Sequence, residues 1–195
     1  MPFIIKKMIN ANLVGNDVNK LDKPSVPEMG GLAGVIGLSL GLSFSFGLVK
    51  YFYTLETLPL LVIISVLGIS SFVGVLDDVA ILIRKEKAWF IAFSALPLII
   101  SNLYTKELNF ILFQVSFDTP LLELFFLFCV IPLGVSGCAN ALNMSAGYNG
   151  LESGQIVIIS SALLVMSYLD NISLSILLIY SSILGSSLAL FLFNK

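Results

Sequence analysis

Long apolar runs separated by short polar segments dominate the chain, and that block pattern sets its fold class. A helix that crosses a membrane needs about 20 mostly apolar residues, because a rise of about 1.5 Å per residue must cover a hydrocarbon core of about 30 Å. Six stretches qualify, at residues 30–49, 57–76, 88–104, 120–138, 155–169 and 172–193, the third and fifth being short. The pattern predicts an all-α fold: a polytopic membrane helix bundle of about six transmembrane helices, forming one multi-pass domain over residues 1–195. Three polar segments, 10–29, 77–87 and 139–154, are expected as loops on one face.

Composition sharpens this. Of 195 residues, 57% are hydrophobic and 11% charged, whereas soluble domains carry about 25% charged residues. That excludes a soluble enzyme and a disordered tail. Ten Lys and Arg against twelve Asp and Glu leave no basic surplus for nucleic acid. Cys129 and Cys138 lie nine apart in an apolar run, a spacing that fits neither a metal motif nor a disulfide framework, and read as helix-packing residues. With no histidine, imidazole bases and His-ligated zinc are excluded, and chemistry falls to carboxylates, amides, lysine or a metal.

The charges also orient the chain. Lys6, Lys7, Lys20, Lys23, Arg84, Lys85, Lys87 and Lys195 fall on one side of the predicted spans, and Lys50 and Lys106 on the other. The positive-inside rule places the first group, and with it all three polar segments, in the cytoplasm. A multi-pass protein of the cytoplasmic membrane, working on its inner face, is expected. Residues 1–12 lack the features of a removable signal peptide, and both ends read as cut from a longer protein.

Each polar segment offers chemistry. In the first, Pro24 and Pro27 favour extended geometry and so an ordered loop. Asp17, Asn19 and Glu28 there are acceptors suited to a nucleoside, and Lys20 and Lys23 suit either phosphate or anionic lipid. The second holds Asp77-Asp78, adjacent carboxylates that need a cation or basic partner to stay ionised together. Magnesium, recruited by one or two carboxylates with substrate phosphates, would serve. On a continuous helix Asp78 and Lys87 would face opposite ways, so both reach one substrate only if the helix breaks. The third packs Asn140, Asn143 and Asn149 with Gly147, Gly150 and Gly154 between two apolar spans, where polar groups are costly unless used. Asn140 and Asn143 share a face of any helical turn, and Gly147 and Gly150 permit positive φ and close approach to a ligand.

These three segments resemble the polyprenyl-phosphate glycosyl-1-phosphate transferases, in the archaeal and eukaryotic branch that makes dolichyl-diphospho-GlcNAc from UDP-GlcNAc. The likeness rests on Gly15-x-Asp-x-Asn-Lys with Pro27-Glu28, on Asp77-Asp78 with Lys87, and on Asn140-Ala-Leu-Asn143 followed by Ala-Gly-Tyr-Asn-Gly-Leu-Glu. It implies that Asn16, Asp17, Val18 and Glu28 line a nucleotide pocket, that Asn140 belongs to the substrate-binding set, and that Gly147 and Asn149 contact uridine. It further implies that Lys87 meets the diphosphate, that Asn143 is a magnesium ligand, and that Asp77 and Asp78 position the metal-bound diphosphate or the lipid phosphate. The implied substrates are UDP-GlcNAc and a polyprenyl or dolichyl phosphate, with membrane lipid around the chain and a homo-oligomer or a complementing C-terminal half as protein partners. Relatives have a leading span, further C-terminal spans and loops that supply a second acidic ligand and the sugar-recognition residues, and none of these can be matched here. A noncatalytic copy that binds or scaffolds a full-length partner is the alternative.

Overall fold

The structure, a computed structural model, describes residues 2–16, 25–27, 30–53, 57–80, 82–105, 119–145 and 149–193. Among these, helix α1 (Pro2–Asn10) precedes a small antiparallel ladder of β1 (Val14–Asn16) and β2 (Ser25–Pro27), in which Gly15 pairs with Val26. The extended geometry expected before Pro27 is realised there, since Val26 lies within the ladder. Then follow α2 (Gly30–Phe52), α3 (Leu58–Ala80), α4 (Arg84–Phe93), α5 (Leu96–Thr105), α6 (Pro120–Phe125), a π-helical turn at Phe126–Val130, α7 (Ile131–Ser145), α8 (Leu151–Leu169) and α9 (Leu174–Phe193).

Five helical stretches among the described residues are long and apolar enough to cross a membrane: Gly30–Phe52, Leu58–Asp77, Pro120–Ser145, Leu151–Leu169 and Leu174–Phe193. Large apolar side chains such as Phe44, Phe72 and Ile158 are exposed along them, as a lipid-facing surface requires. The third expected span, 88–104, is instead built from two ten-residue helices, α4 and α5, joined by a turn at Ser94 and Ala95. The cause is Pro97, which lacks an N–H and whose ring crowds the carbonyl four residues back, at Phe93, where α4 ends. Both short helices pack on α3. The expected loops are also narrower than the polar pattern suggested: α3 carries on through Asp77, α7 through Asn140 and Asn143, and α8 starts at Leu151.

The chain divides into two compact units. In the first (residues 1–55 and 143–195), α9 packs against both α2 and α8. The α2–α9 contact runs through small residues: Gly34 faces Leu190, Gly37 faces Ser186 and Gly41 faces Ser182, so the two helices run antiparallel and approach closely. Ser153, Ser160, Ser167, Ser175 and Ser187 are buried along α8 and α9. In the second unit (residues 56–142), α3 packs with α4 and α5, and Leu60, Val73, Ile91, Ile99 and Leu127 are buried.

Candidate functional site

The polar end of the second unit starts from an electrostatic conflict. Asp77 lies in the last turns of α3, where the negative pole of the helix disfavours a carboxylate. Its relief is Lys87, whose Nζ donates to Asp77 Oδ2 as an ion pair with both side chains about one-fifth exposed. The pair forms because the helix is interrupted after Ala80: Ile83 is extended, and α4 restarts at Arg84. A break was required for an acid and the lysine to converge, and the break brings in Asp77. Asp78 lies beside it in α3, with its side chain outside the described residues. The new helix is capped by its own third residue, since Glu86 Oε2 accepts from the Ile83 N–H at 3.2 Å.

Asn140 joins this end through α7. Its Nδ2 donates to the Ser136 carbonyl at 2.8 Å and to Ser136 Oγ at 3.2 Å. Ser136 Oγ in turn donates to the carbonyl of Ala88 at 2.8 Å, the residue after Lys87. An acid from α3, a lysine from α4 and an amide from α7, which sequence reasoning picked out separately, are thus connected through Ser136. Sequence reasoning passed over Ser136 itself. Asn143, three positions along α7 and so on the same helical face as Asn140, is exposed.

The first unit holds the remaining described candidates. Asn149 is exposed at the rim of a cleft of about 580 Å³ whose walls include Gly150, Gln155, Val157, Ile158 and Phe191. Gly150 takes φ of 77° as the N-cap of α8, the positive φ for which a glycine is needed. Its carbonyl accepts from the Gly154 N–H at 2.8 Å and from Ser153 Oγ at 3.2 Å. Ser145 Oγ donates to Gln155 Oε1 at 3.0 Å, which ties the end of α7 to the first turns of α8. Gln155 was also missed, although its place directly after Gly154 is a legible signal. The cleft is lined by the amide residues Asn149 and Gln155 together with apolar side chains. A second groove of about 420 Å³, between α8 and α9, has Ser181 among apolar walls and includes none of the candidates. Asn16 ends β1, with its side chain outside the described residues, as are Asp17, Val18, Glu28 and Gly147 altogether.

Among the described residues no three or more His, Cys, Asp or Glu side chains gather as a metal site. Asp77 in the second unit offers a carboxylate, and the exposed Asn143 in the first an amide oxygen, donor types that each suit a hard cation completed by phosphate oxygens and water, as magnesium usually is.

Residues 58–195 match the sequence model of glycosyl transferase family 4. The chain is 35% identical over 195 residues to a protein of Methanocaldococcus jannaschii named as a glycosyltransferase, covering 99% of this chain and 54% of that one. It is 32% identical over 162 residues to a protein of Saccharolobus solfataricus named as a UDP-N-acetylglucosamine–dolichyl-phosphate N-acetylglucosaminephosphotransferase, covering 83% and 48%. To the phospho-N-acetylmuramoyl-pentapeptide-transferase of Streptococcus equi subsp. equi it is 29% identical over 209 residues, covering 100% and 60%. The chain spans about half the length of the curated relatives it matches.

Proposed function

The chain belongs to glycosyl transferase family 4, and from that premise we propose that it transfers N-acetylglucosamine-1-phosphate from UDP-GlcNAc to a polyprenyl phosphate of the dolichyl type, releasing UMP. The observation that carries this is the Lys87–Asp77 pair, linked through Ala88 and Ser136 to Asn140: a held cation at the polar end of a membrane unit, as a diphosphate requires. The choice of GlcNAc over a muramoyl peptide follows the name of the Saccharolobus relative.

The chemistry is a displacement at phosphorus. An oxygen of the lipid phosphate attacks the sugar-linked phosphorus, a new P–O bond forms, and the bond to the bridging oxygen breaks, with its electron pair leaving on UMP. The lipid phosphate is already ionised near neutral pH, so no strong base is needed, which suits a chain without histidine. Such reactions depend on alignment and on neutralising charge. Lys87 keeps two of its three ammonium donors beyond the one given to Asp77, enough to meet diphosphate oxygens. Asp77 fixes where that charge sits, and Asp78 is assigned to the same end. Asn149, at its cleft, takes a role in nucleotide recognition, as do Asn16, Asp17, Val18, Glu28 and Gly147. Asn140 presents its carbonyl oxygen to the substrate, since both Nδ2 donors are committed to Ser136. Asn143 would hold magnesium together with substrate oxygens, and the ion supplies charge neutralisation when bound. The work is assigned to the cytoplasmic face of the membrane.

The test is UMP release by the protein in membranes supplied with polyprenyl phosphate and UDP-GlcNAc. Release should require the lipid phosphate, stop with a chelator and return with magnesium. Release with UDP-MurNAc-pentapeptide but not UDP-GlcNAc would overturn the substrate, and release that persists in the chelator would remove the metal.

A further inference from the structure

Serines in membrane helices usually hydrogen-bond within their own helix, and most here do: Ser65, Ser71, Ser160 and Ser161 each donate to the carbonyl four residues back. Ser136 departs from this. It is buried in α7, and its hydroxyl donates to the Ala88 carbonyl in α4, 48 positions away. A hydroxyl has one proton, so its direction can be set by what it accepts. Ser136 Oγ accepts from Asn140 Nδ2, which leaves its proton for Ala88 and gives the chain Asn140 N–H to Ser136 O–H to Ala88 C=O one direction. Bonds aligned in this way strengthen one another in a surrounding of low dielectric.

The anchored carbonyl belongs to the residue after Lys87. Helix α4 is only ten residues long, follows a break, and has at its N-cap an isoleucine with no side-chain acceptor. Any sliding or turning of α4 that would carry Lys87 off Asp77 must also break the Ser136–Ala88 bond. We infer that Ser136, oriented by Asn140, is a positioning residue for Lys87: it fixes the first turns of α4 so that the ammonium stays over Asp77. This rests on the proposed role of Lys87 at the diphosphate, and it accounts for a polar pair within a membrane-spanning helix, where such groups are kept for a use.

The test compares Ser136→Ala, Ser136→Thr and Lys87→Ala in the protein in membranes. The first readout needs no turnover: acylation of lysines by an amine-reactive reagent, followed residue by residue by mass spectrometry, with Lys85 on the same helix as internal control. In Ser136→Ala, Lys87 should label about fivefold to tenfold faster, the fold-change expected for losing one net hydrogen bond, with Lys85 unchanged. Its kcat should fall by a similar factor with KM nearly constant, and Ser136→Thr, which keeps the hydroxyl, should restore both. Labelling of Lys87 at the wild-type rate in Ser136→Ala overturns the inference, as does a rise shared equally by Lys85, which would mean general loosening. Full activity in Lys87→Ala would instead overturn the proposed role of Lys87, and the labelling would still decide whether Ser136 holds it.

Discussion

The ammonium of Lys87 lies against the carboxylate of Asp77, ten positions earlier in the chain, across the interruption between α3 and α4. With both side chains only about one-fifth exposed, the pair mainly offsets the cost of taking each charge out of water and adds little net stability. Its value is positional, because each fixes the other at the end of a membrane helix. Lys87→Met should therefore lower kcat about 10² to 10³-fold, as for loss of one preorganised charge at a transition state, while membrane insertion stays normal. Lys87→Arg should not restore it, since a planar fork cannot replace a compact ammonium. Asp77→Asn should give a smaller loss and release Lys87 to acylation. Wild-type UMP release from Lys87→Met would remove the pair from the chemistry.

Packing in the first unit makes a separate prediction. A Cβ built on Gly34 would come within 2.5 Å of Leu190 Cδ1, the tip of a flexible side chain, whereas one on Gly68 meets nothing within 4 Å. Gly34→Ala should cost about 1–2 kcal/mol as Leu190 is forced to another rotamer. Leu190→Ala in that background should give part of it back. Gly68→Ala should be neutral or stabilising by up to about 1 kcal/mol, from helix propensity alone. Thermal unfolding in detergent measures all three. Equal effects at Gly34 and Gly68 would mean that α2 and α9 do not approach as described.

How much was legible beforehand depended on which force fixes each feature. Apolar blocks located the long helices, because the bilayer acts on every residue of a span. Their polar ends were read as loops since Asp77, Asn140 and Glu152 are costly in hydrocarbon, yet each lies within the last or first turns of a helix, where such groups can reach a polar partner or water. The break in 88–104 did have a signal in Pro97, which composition averaged away. Ser136 had none. A serine in a membrane helix is commonplace, and only the arrival of Ala88 beside it distinguishes this one. Asp77, Lys87 and Asn140 could be picked out by residue type, but the order of their bonds, Asn140 to Ser136 and Lys87 to Asp77, is tertiary information.

The π-helical turn at Phe126–Val130 precedes Pro132, and the two are physically linked. An α-helix would drive the proline ring into the carbonyl of Phe128 and leave that carbonyl without its N–H partner, and wider winding relieves the clash. One extra residue in the winding turns everything beyond it by about 100° relative to a plain α-helix. Pro132→Ala lets the turn revert, which would rotate Ser136 away from Ala88. Insertion should be normal, turnover should drop severalfold, and Lys87 should label faster, as in Ser136→Ala. Unchanged labelling would show that the winding does not set the direction of Ser136.

Membrane sidedness gives the most exposed prediction, because the proposed chemistry assigns Lys87 and Asn149 to one sugar nucleotide. Eight of the ten basic residues fall on the side assigned to the cytoplasm, a bias that sets orientation during insertion. In a background with Cys129 and Cys138 replaced, single cysteines at Lys85 and at Asn149 should react with a membrane-impermeant maleimide only when the cytoplasmic face is open to it. Cysteines at Tyr53 and Asp170, both exposed at the far ends of α2 and α8, should react only from the other side. The broken segment 84–105 is the sensitive point, since α4 and α5 must together complete a crossing that neither can make alone. If they turn back instead, every later helix inverts. Lys85 and Asn149 would then label from opposite faces, and no single ligand could meet both Lys87 and Asn149.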